Sequence, residues 1–298
     1  MFVDRLATYL ESLDRSIFEK QYLVNCIKEY LQFYVLEFIY NDPVYKELIF
    51  TGGTALQKCF GLDRISEDID LDSPHLIDHD LFANGITGYF KNRFDYNDLY
   101  VSVKGKQKKI YLKFPVLKKL ELAGPDESEL AYVKVEIAPL ISENYSTRIS
   151  VISSHNVNVL VRHYDMPDLF AGKLHAVLTR TYFKGKKNEI NFKGRDFYDL
   201  FWFLNRHVVL NIERLNDLLY ASGHDTCTLE ELKGMLRKRV ATISPNAFLF
   251  DVRHFFKDSR YIQQVADNYK DIVLPLIDYI KLKSDDTNKK TTGSHLKN

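Results

Sequence analysis

Between residues 99 and 161 the chain strings together five short alternating segments: LYVSV, KKIYLKF, YVKVEIA, ISVIS and VNVLV. Only Lys-rich or Asp/Gly/Pro-rich turns separate them, which is the texture of successive strands. Strands that follow one another without a crossover helix pair antiparallel, so a doubly wound α/β fold is excluded and an α+β fold is predicted. The flanks have a different period. Residues 16–40 carry two adjacent apolar rows, Tyr22, Cys26, Tyr30, Tyr34, Phe38 and Leu23, Ile27, Leu31, Val35, Ile39, which predict a long core-packing helix ended by Asn41-Asp42-Pro43. ELIF and IDLD read as strands around a turn-to-helix segment, GGTALQKCF, and a helix follows at about 77–93.

Beyond residue 165 the pattern is helical. Pro167 suits the first turn of a helix running to Arg180, and a second spans about 195–206. Thr228 and Glu231 form a capping box, Ser244-Pro245 a further helix start, and a last helix at 259–282 is expected to kink at Pro275. This predicts an α+β domain over 1–165 with an N-terminal helix, a helical domain over 166–283 that completes a cleft, and a disordered polar tail at 284–298.

Charge is balanced, with 41 Lys+Arg against 40 Asp+Glu, which excludes a uniformly basic nucleic-acid coat but not local patches. The most apolar stretch, LQFYVLEFIY, is short and holds Gln32 and Glu37, so no membrane span is expected. Acids appear too early for a signal peptide, and Cys26, Cys59 and Cys227 form no CxxC pair; a reducing cytoplasm is the expected location.

The residues with chemistry cluster around Gly52-Gly53-Thr54 and Arg64-Ile65-Ser66-Glu67-Asp68-Ile69-Asp70-Leu71. Strand alternation places Asp68 and Asp70 on one face and Ile69 and Leu71 on the other. Two carboxylates held close need a cation or a shared proton, and an oxygen-only pair suits Mg²⁺ together with substrate phosphates. A solvated acidic loop is the plain alternative for Asp-x-Asp alone. A glycine pair opening a helix offers backbone N–H groups to a phosphate, and Thr54 adds a hydroxyl. Lys173 lies within the apolar stripe Leu169, Phe170, Leu174, Val177, Leu178, so it must snorkel or meet an anion. Asp196 sits in the first turn of its helix, and Asp199 is spaced to pair with Arg195 on the surface. Arg64 can hold a phosphate or pair with an acid; Ser66 can contact substrate or make a turn hydrogen bond.

GGTALQKCF…RISEDIDL resembles the G-[GS]…D-x-D motif of DNA polymerase beta-type nucleotidyltransferases, and in particular the AbiEii/AbiGii toxin family. DLFAGKLHAVLTR resembles that family's Lys-bearing helix and GRDFYDLFWFL its RDxYDL helix. The resemblance implies a nucleotidyltransferase-type mixed sheet with flanking helices. It also implies a third carboxylate on a neighbouring strand, for which Glu136 has the right orientation in YVKVEIA. Asp68, Asp70 and Glu136 would then bind Mg²⁺ (or Mn²⁺). Gly52, Gly53, Thr54, Arg64, Ser66 and Lys173 would bind an NTP. Lys173 and Asp196 would join the catalytic set. By the same resemblance the chain is a toxin of a bacterial toxin–antitoxin or phage-defence pair. Its acceptor would be an RNA such as the tRNA 3′ end, and its partner an antitoxin with a winged-helix domain. A small-molecule or protein hydroxyl as acceptor, or a catalytically silent binding module, stay open.

Two basic tracts complete the reading. Residues 104–119 hold seven lysines and no acid, and residues 180–195 hold Arg180, Lys184, Lys186, Lys187, Lys193 and Arg195 against Glu189 alone. Either is a solvated loop or an attractor of RNA phosphates, with Tyr111, Tyr182 and Phe183 available to stack bases. HExxH, GxSxG and P-loop motifs are absent.

Overall fold

A computed structural model describes residues 2–105, 109–181 and 192–284. Residues 285–298 of the polar tail, 182–191 of the second basic tract and 106–108 of the first fall outside them. The first half runs α1 (Phe2–Glu11), α2 (Lys20–Asn41), β1 (Ile49–Thr51), α3 (Gly52–Phe60), β2 (Asp68–Ser73) and α4 (His79–Phe94). Strands β3 (Tyr100–Lys104), β4 (Lys109–Pro115), β5 (Leu130–Pro139), β6 (Thr147–Ser154) and β7 (Val157–Tyr164) follow. Helices α5 (Met166–Thr179), α6 (Gly194–Asn205), α7 (Ile212–Ala221), α8 (Leu229–Ala241), α9 (Pro245–Val252), α10 (Ser259–Asp267) and α11 (Tyr269–Ile277) close the chain.

The fold is α+β. All seven strands join one mixed sheet in the order β3-β4-β5-β2-β1-β7-β6. The meander β3-β4-β5 and the hairpin β6-β7 are antiparallel, as consecutive strands should be. The hairpin turns through His155 and Asn156, both at positive φ, the two-residue geometry that matches strand twist. The step from β5 to β6 departs from the expected adjacency. Both edges of β5 are taken, by β4 and by β2, so the chain crosses to the far edge of the sheet. That crossing brings β7 beside β1 in parallel, and β2-β5, joined through α4 and the β3-β4 hairpin, is parallel as well.

Helix α2 is more buried than a one-sided stripe requires. Every residue from Tyr30 to Tyr40 is buried, Gln32 and Glu37 included. Gln32 donates to the Ser66 carbonyl at 2.8 Å while its Oε1 finds no partner among the described residues, and Glu37 accepts from Arg93 at 2.7 and 3.0 Å and from the Tyr89 hydroxyl. Helices α1, α2 and α4 cover one sheet face. The second buried cluster joins Ile49, Leu56 and Leu62 to helices α5–α11.

Two local expectations need correction, and one helix was not expected. The final helix is two helices, broken at Asn268, and Pro275 sits within the second rather than marking the break. Pro245 occupies the first turn of α9, but the Ser244 side chain makes no capping bond. Helix α1 has no counterpart in the sequence reading; it buries Phe2, Leu6 and Leu10, a clear i, i+4, i+8 row. The Thr228–Glu231 capping box and the Asp165 cap of α5 are both formed.

Candidate active site

Strand β2 alternates as its sequence requires: Ile69 and Leu71 are buried in the core, while Asp68 and Asp70 share the opposite face. Parallel pairing sets Asp70 opposite Glu136 and Asp68 opposite Lys134. The three carboxylates therefore stand on one face of adjacent strands. An ammonium stands among them: Lys134 Nζ lies 2.8 Å from Asp68 and 2.6 Å from Glu136, and Lys109 lies 3.0 Å from Glu136. Burial, with the charges of Asp68 and Glu136, raises the Asp70 carboxyl to about 6. This excess of negative charge beside Asp70 fits a divalent cation. For Glu136 the fit requires giving up its two lysines, and among the described residues no three His, Cys, Asp or Glu side chains converge tightly enough to hold an ion.

Glycine is obligatory at the β1–α3 junction. Gly52 has φ +74°, and a Cβ there would lie 2.1 Å from Asp70 Oδ2. The bare backbone lets the carboxylate lie against the start of α3. A Cβ on Gly53 would meet Arg64 and Ser66 at 2.7 and 2.8 Å. No side chain caps α3, so its first N–H groups remain available at the cleft. Thr54 is not among the cleft-lining residues. It is fully buried and its hydroxyl donates to the Asp68 carbonyl, which ties α3 to β2 and leaves no hydroxyl for a phosphate.

Helices α5 and α6 form the opposite wall. Lys173 meets an anion rather than snorkelling: its Nζ lies 3.1 Å from Asp196 and 2.7 Å from Asp199. Asp199 is not the surface partner of Arg195. It is 0% exposed and accepts two 2.7 Å hydrogen bonds from Arg64, Nε to Oδ1 and Nη2 to Oδ2. Arg64 thus takes the acid-pairing option, although it also borders the cleft. Arg195 turns instead to Glu67 at 2.9 Å, and Glu67 also accepts from Lys28 at 2.8 Å. Burial pushes Asp196 upward, but Lys173, Arg180 and Lys193 outweigh it and hold the carboxyl well below the ordinary range. Arg180 donates to the same Asp196. Burial, and next Arg195, lower the Lys193 ammonium to about 8.

One cleft brings these walls together. Gly52, Gly53, Ser66, Asp68 and Asp70 face Lys173, Arg180, Lys193, Arg195 and Asp196 across it. Glu136 is not in its lining. The sequence reading took Arg180 and Lys193 as parts of a basic tract near the cleft mouth without assigning them roles; here both act on Asp196, while Arg195 pairs with Glu67. That reading missed Asp72, the third aspartate on the same face of β2. Asp72 accepts from the Tyr164 hydroxyl at 2.6 Å and from Arg214 at 3.4 Å, which ties the strand to α7.

A model of the family described as nucleotidyl transferase AbiEii toxin, type IV TA system, matches residues 36–282. Comparison with curated proteins gives no sequence match. Among solved structures, JHP933 from Helicobacter pylori is similar with 17% identity and a TM-score of 0.47, over 88% of this chain and 94% of that one. MenT4, the nucleotidyltransferase toxin Rv2826c from Mycobacterium tuberculosis H37Rv, is similar with 14% identity and a TM-score of 0.46, over 94% of this chain and 98% of that one. No helix among the described residues is long and apolar enough to cross a membrane. With its glycine pair, aspartate strand and lysine helix gathered at one cleft, the chain belongs to the AbiEii family of nucleotidyltransferase toxins.

Proposed function

We propose that the cleft binds a nucleoside triphosphate and transfers its NMP to a hydroxyl at the end of an RNA, with pyrophosphate as the leaving group. The observation that carries this reading is the division of charge: a carboxylate wall on β2 faces a wall of lysines and arginines from α5 and α6. Asp68 and Asp70, joined by Glu136 once it gives up Lys134 and Lys109, would hold Mg²⁺ or Mn²⁺, which would supply Lewis-acid stabilisation of the charge developing on phosphoryl oxygens.

The chain's own groups do the rest. The N–H groups of Gly52 and Gly53 at the start of α3, which no side chain caps, receive phosphate oxygens. Lys173, Arg180 and Lys193 neutralise the triphosphate, and Asp196 holds Lys173 and Arg180 in position. Arg64 and Asp199 brace α6 against the segment that leads into the aspartate strand, while Ser66 borders the nucleotide. In this reading residues 1–165 supply the carboxylate wall and 166–283 the cationic one. The type IV family implies an antitoxin partner; a winged-helix domain on that partner and a tRNA 3′ end as acceptor belong to the proposal.

Labelled NTPs incubated with total RNA, protein and small-molecule pools test it. Wild type should label RNA and Asp70→Asn should not. Label confined to protein or a small molecule would remove the RNA acceptor. Full growth inhibition by both Asp68→Ala and Lys173→Ala would remove the enzymatic account and leave a silent binding module.

A further inference from the structure

Among the described residues, the outer face of β3-β4-β5 is left largely open. Helices α2 and α4 pack on the inner face of this part of the sheet. The open face carries a repeating pattern. Antiparallel register puts Tyr100, Lys113 and Tyr132 in one cross-strand row, and Ser102, Tyr111 and Lys134 in the next. The parallel pair β2-β5 continues the second row to Asp68. Tyr111 is therefore diagonal to both Tyr100 and Tyr132, a relation that spans roughly 7–8 Å. Tyr100 is 63% and Tyr132 40% exposed.

Two further observations give the face a direction. A hollow on it is lined by Lys104, Tyr111, Lys113, Tyr132, Lys134 and Asp68, together with the Lys28–Glu67 ion pair, and Asp68 also lines the nucleotide cleft. The two hollows meet at that carboxylate. Lys134 is engaged by Asp68 and Glu136, but Lys104 and Lys113 have no carboxylate partner among the described residues. Cations without partners, set between aromatic rings, attract phosphates and stack unpaired bases at once.

We infer that this face is the platform for the acceptor strand, a single-stranded RNA end laid across β4 and β5 with its terminal hydroxyl delivered at Asp68. The inference rests on the RNA-acceptor reading above. Tyr111 and Tyr132 stack successive bases, and Lys104 and Lys113 hold the backbone. A duplex offers no exposed ring faces to the tyrosines, so unpaired ends are selected.

Binding of a fluorescent eight-nucleotide single-stranded RNA to the full chain, by anisotropy against salt, tests the platform. A hairpin duplex serves as the control, and NTP binding is measured in parallel. Tyr111→Ala and Tyr132→Ala should each weaken single-strand binding by about 5- to 150-fold with an unchanged salt slope, whereas the Phe variants keep it. The double variant Lys104→Gln/Lys113→Gln should lower the slope of log K against log salt by about 1.4, since each single-strand phosphate contact contributes about 0.7. All variants should bind NTP as wild type does. Equal binding of duplex and single strand, or unchanged binding in the Ala variants, overturns the platform while RNA labelling by wild type leaves the acceptor reading intact. A wild type that binds no RNA and labels only protein or small molecules overturns both.

Discussion

Asp199→Asn probes the network on which the cationic wall rests. The wild-type carboxylate is fully buried and receives three hydrogen bonds of 2.7 Å, two from Arg64 and one from Lys173. Asparagine keeps the volume but removes the charge and turns an NH₂ group toward the cations. Arg64 is buried and then has no charged partner, while Lys173 keeps only Asp196. Breaking a buried pair from one side costs about 3–5 kcal/mol. At roughly 2–4 °C per kcal/mol for a chain of this size, the unfolding midpoint should fall by about 6–20 °C near pH 7. Burial raises the Asp199 carboxyl, but Arg64 and Lys173 outweigh that and hold it below its ordinary value. Its contribution is therefore present above the unfolded-state value, about 3.9, and is lost only as pH falls through the lower folded value. The loss in the variant should accordingly be undiminished from pH 8 down to pH 5. Calorimetry or intrinsic fluorescence during heating reads both results. A midpoint within about 1 °C of wild type at pH 7 would refute the argument, because it would mean that the two cations do not need the carboxylate. The double variant Arg64→Met/Asp199→Leu should lose less than the sum of its singles.

Other perturbations address the cleft and the fold separately. Gly52→Ala places a left-handed alanine, costing about 1–2 kcal/mol, and pushes Asp70 away from the start of α3; NMP transfer should drop by about 10²-fold in a chain that still folds by circular dichroism. Lys193 is charged below about 8, so NTP affinity should fall as pH rises through and above that value, and Lys193→Met should flatten the titration; a wild-type affinity independent of pH between 7 and 10 would exclude Lys193 from binding. His155 packs against Tyr9, Tyr30 and Phe33, and burial first, then Lys58, lowers it to about 4. A base lowered in the folded state stays neutral while the unfolded chain takes up a proton, so stability is complete above about 6.5 and falls by roughly 2 kcal/mol toward pH 4, allowing for partial exposure. His155→Asn, which tolerates the positive φ, should reduce that pH dependence in denaturant titrations.

What could be read directly from the chain was what local periodicity controls. Alternation in IDLD and in YVKVEIA placed Asp68, Asp70 and Glu136 on the faces they occupy, because a strand's side chains must alternate whatever it pairs with. Caps and turn residues marked most helix starts for the same local reason. The strand run also gave the antiparallel pairs, but not the jump from β5 to β6, since occupied edges are a property of the assembled sheet.

The chemistry of the cleft was decided by partners far apart in the chain. Asp199 carries a sequence spacing that suits a surface pair with Arg195, yet Arg64, 135 residues away, claims it in the interior. Thr54 sits where a phosphate ligand would be expected, yet packing against β2 consumes its hydroxyl. Lys134 enters the carboxylate group only because the parallel register of β2 and β5 sets it beside Asp68. The sequence by itself determined which residues each strand and helix presents on each face. The tertiary structure alone decided which of those faces meet, which charges cancel, and that the open tyrosine–lysine face of β3-β5 ends at Asp68, because register and helix placement arise from contacts that no local period encodes.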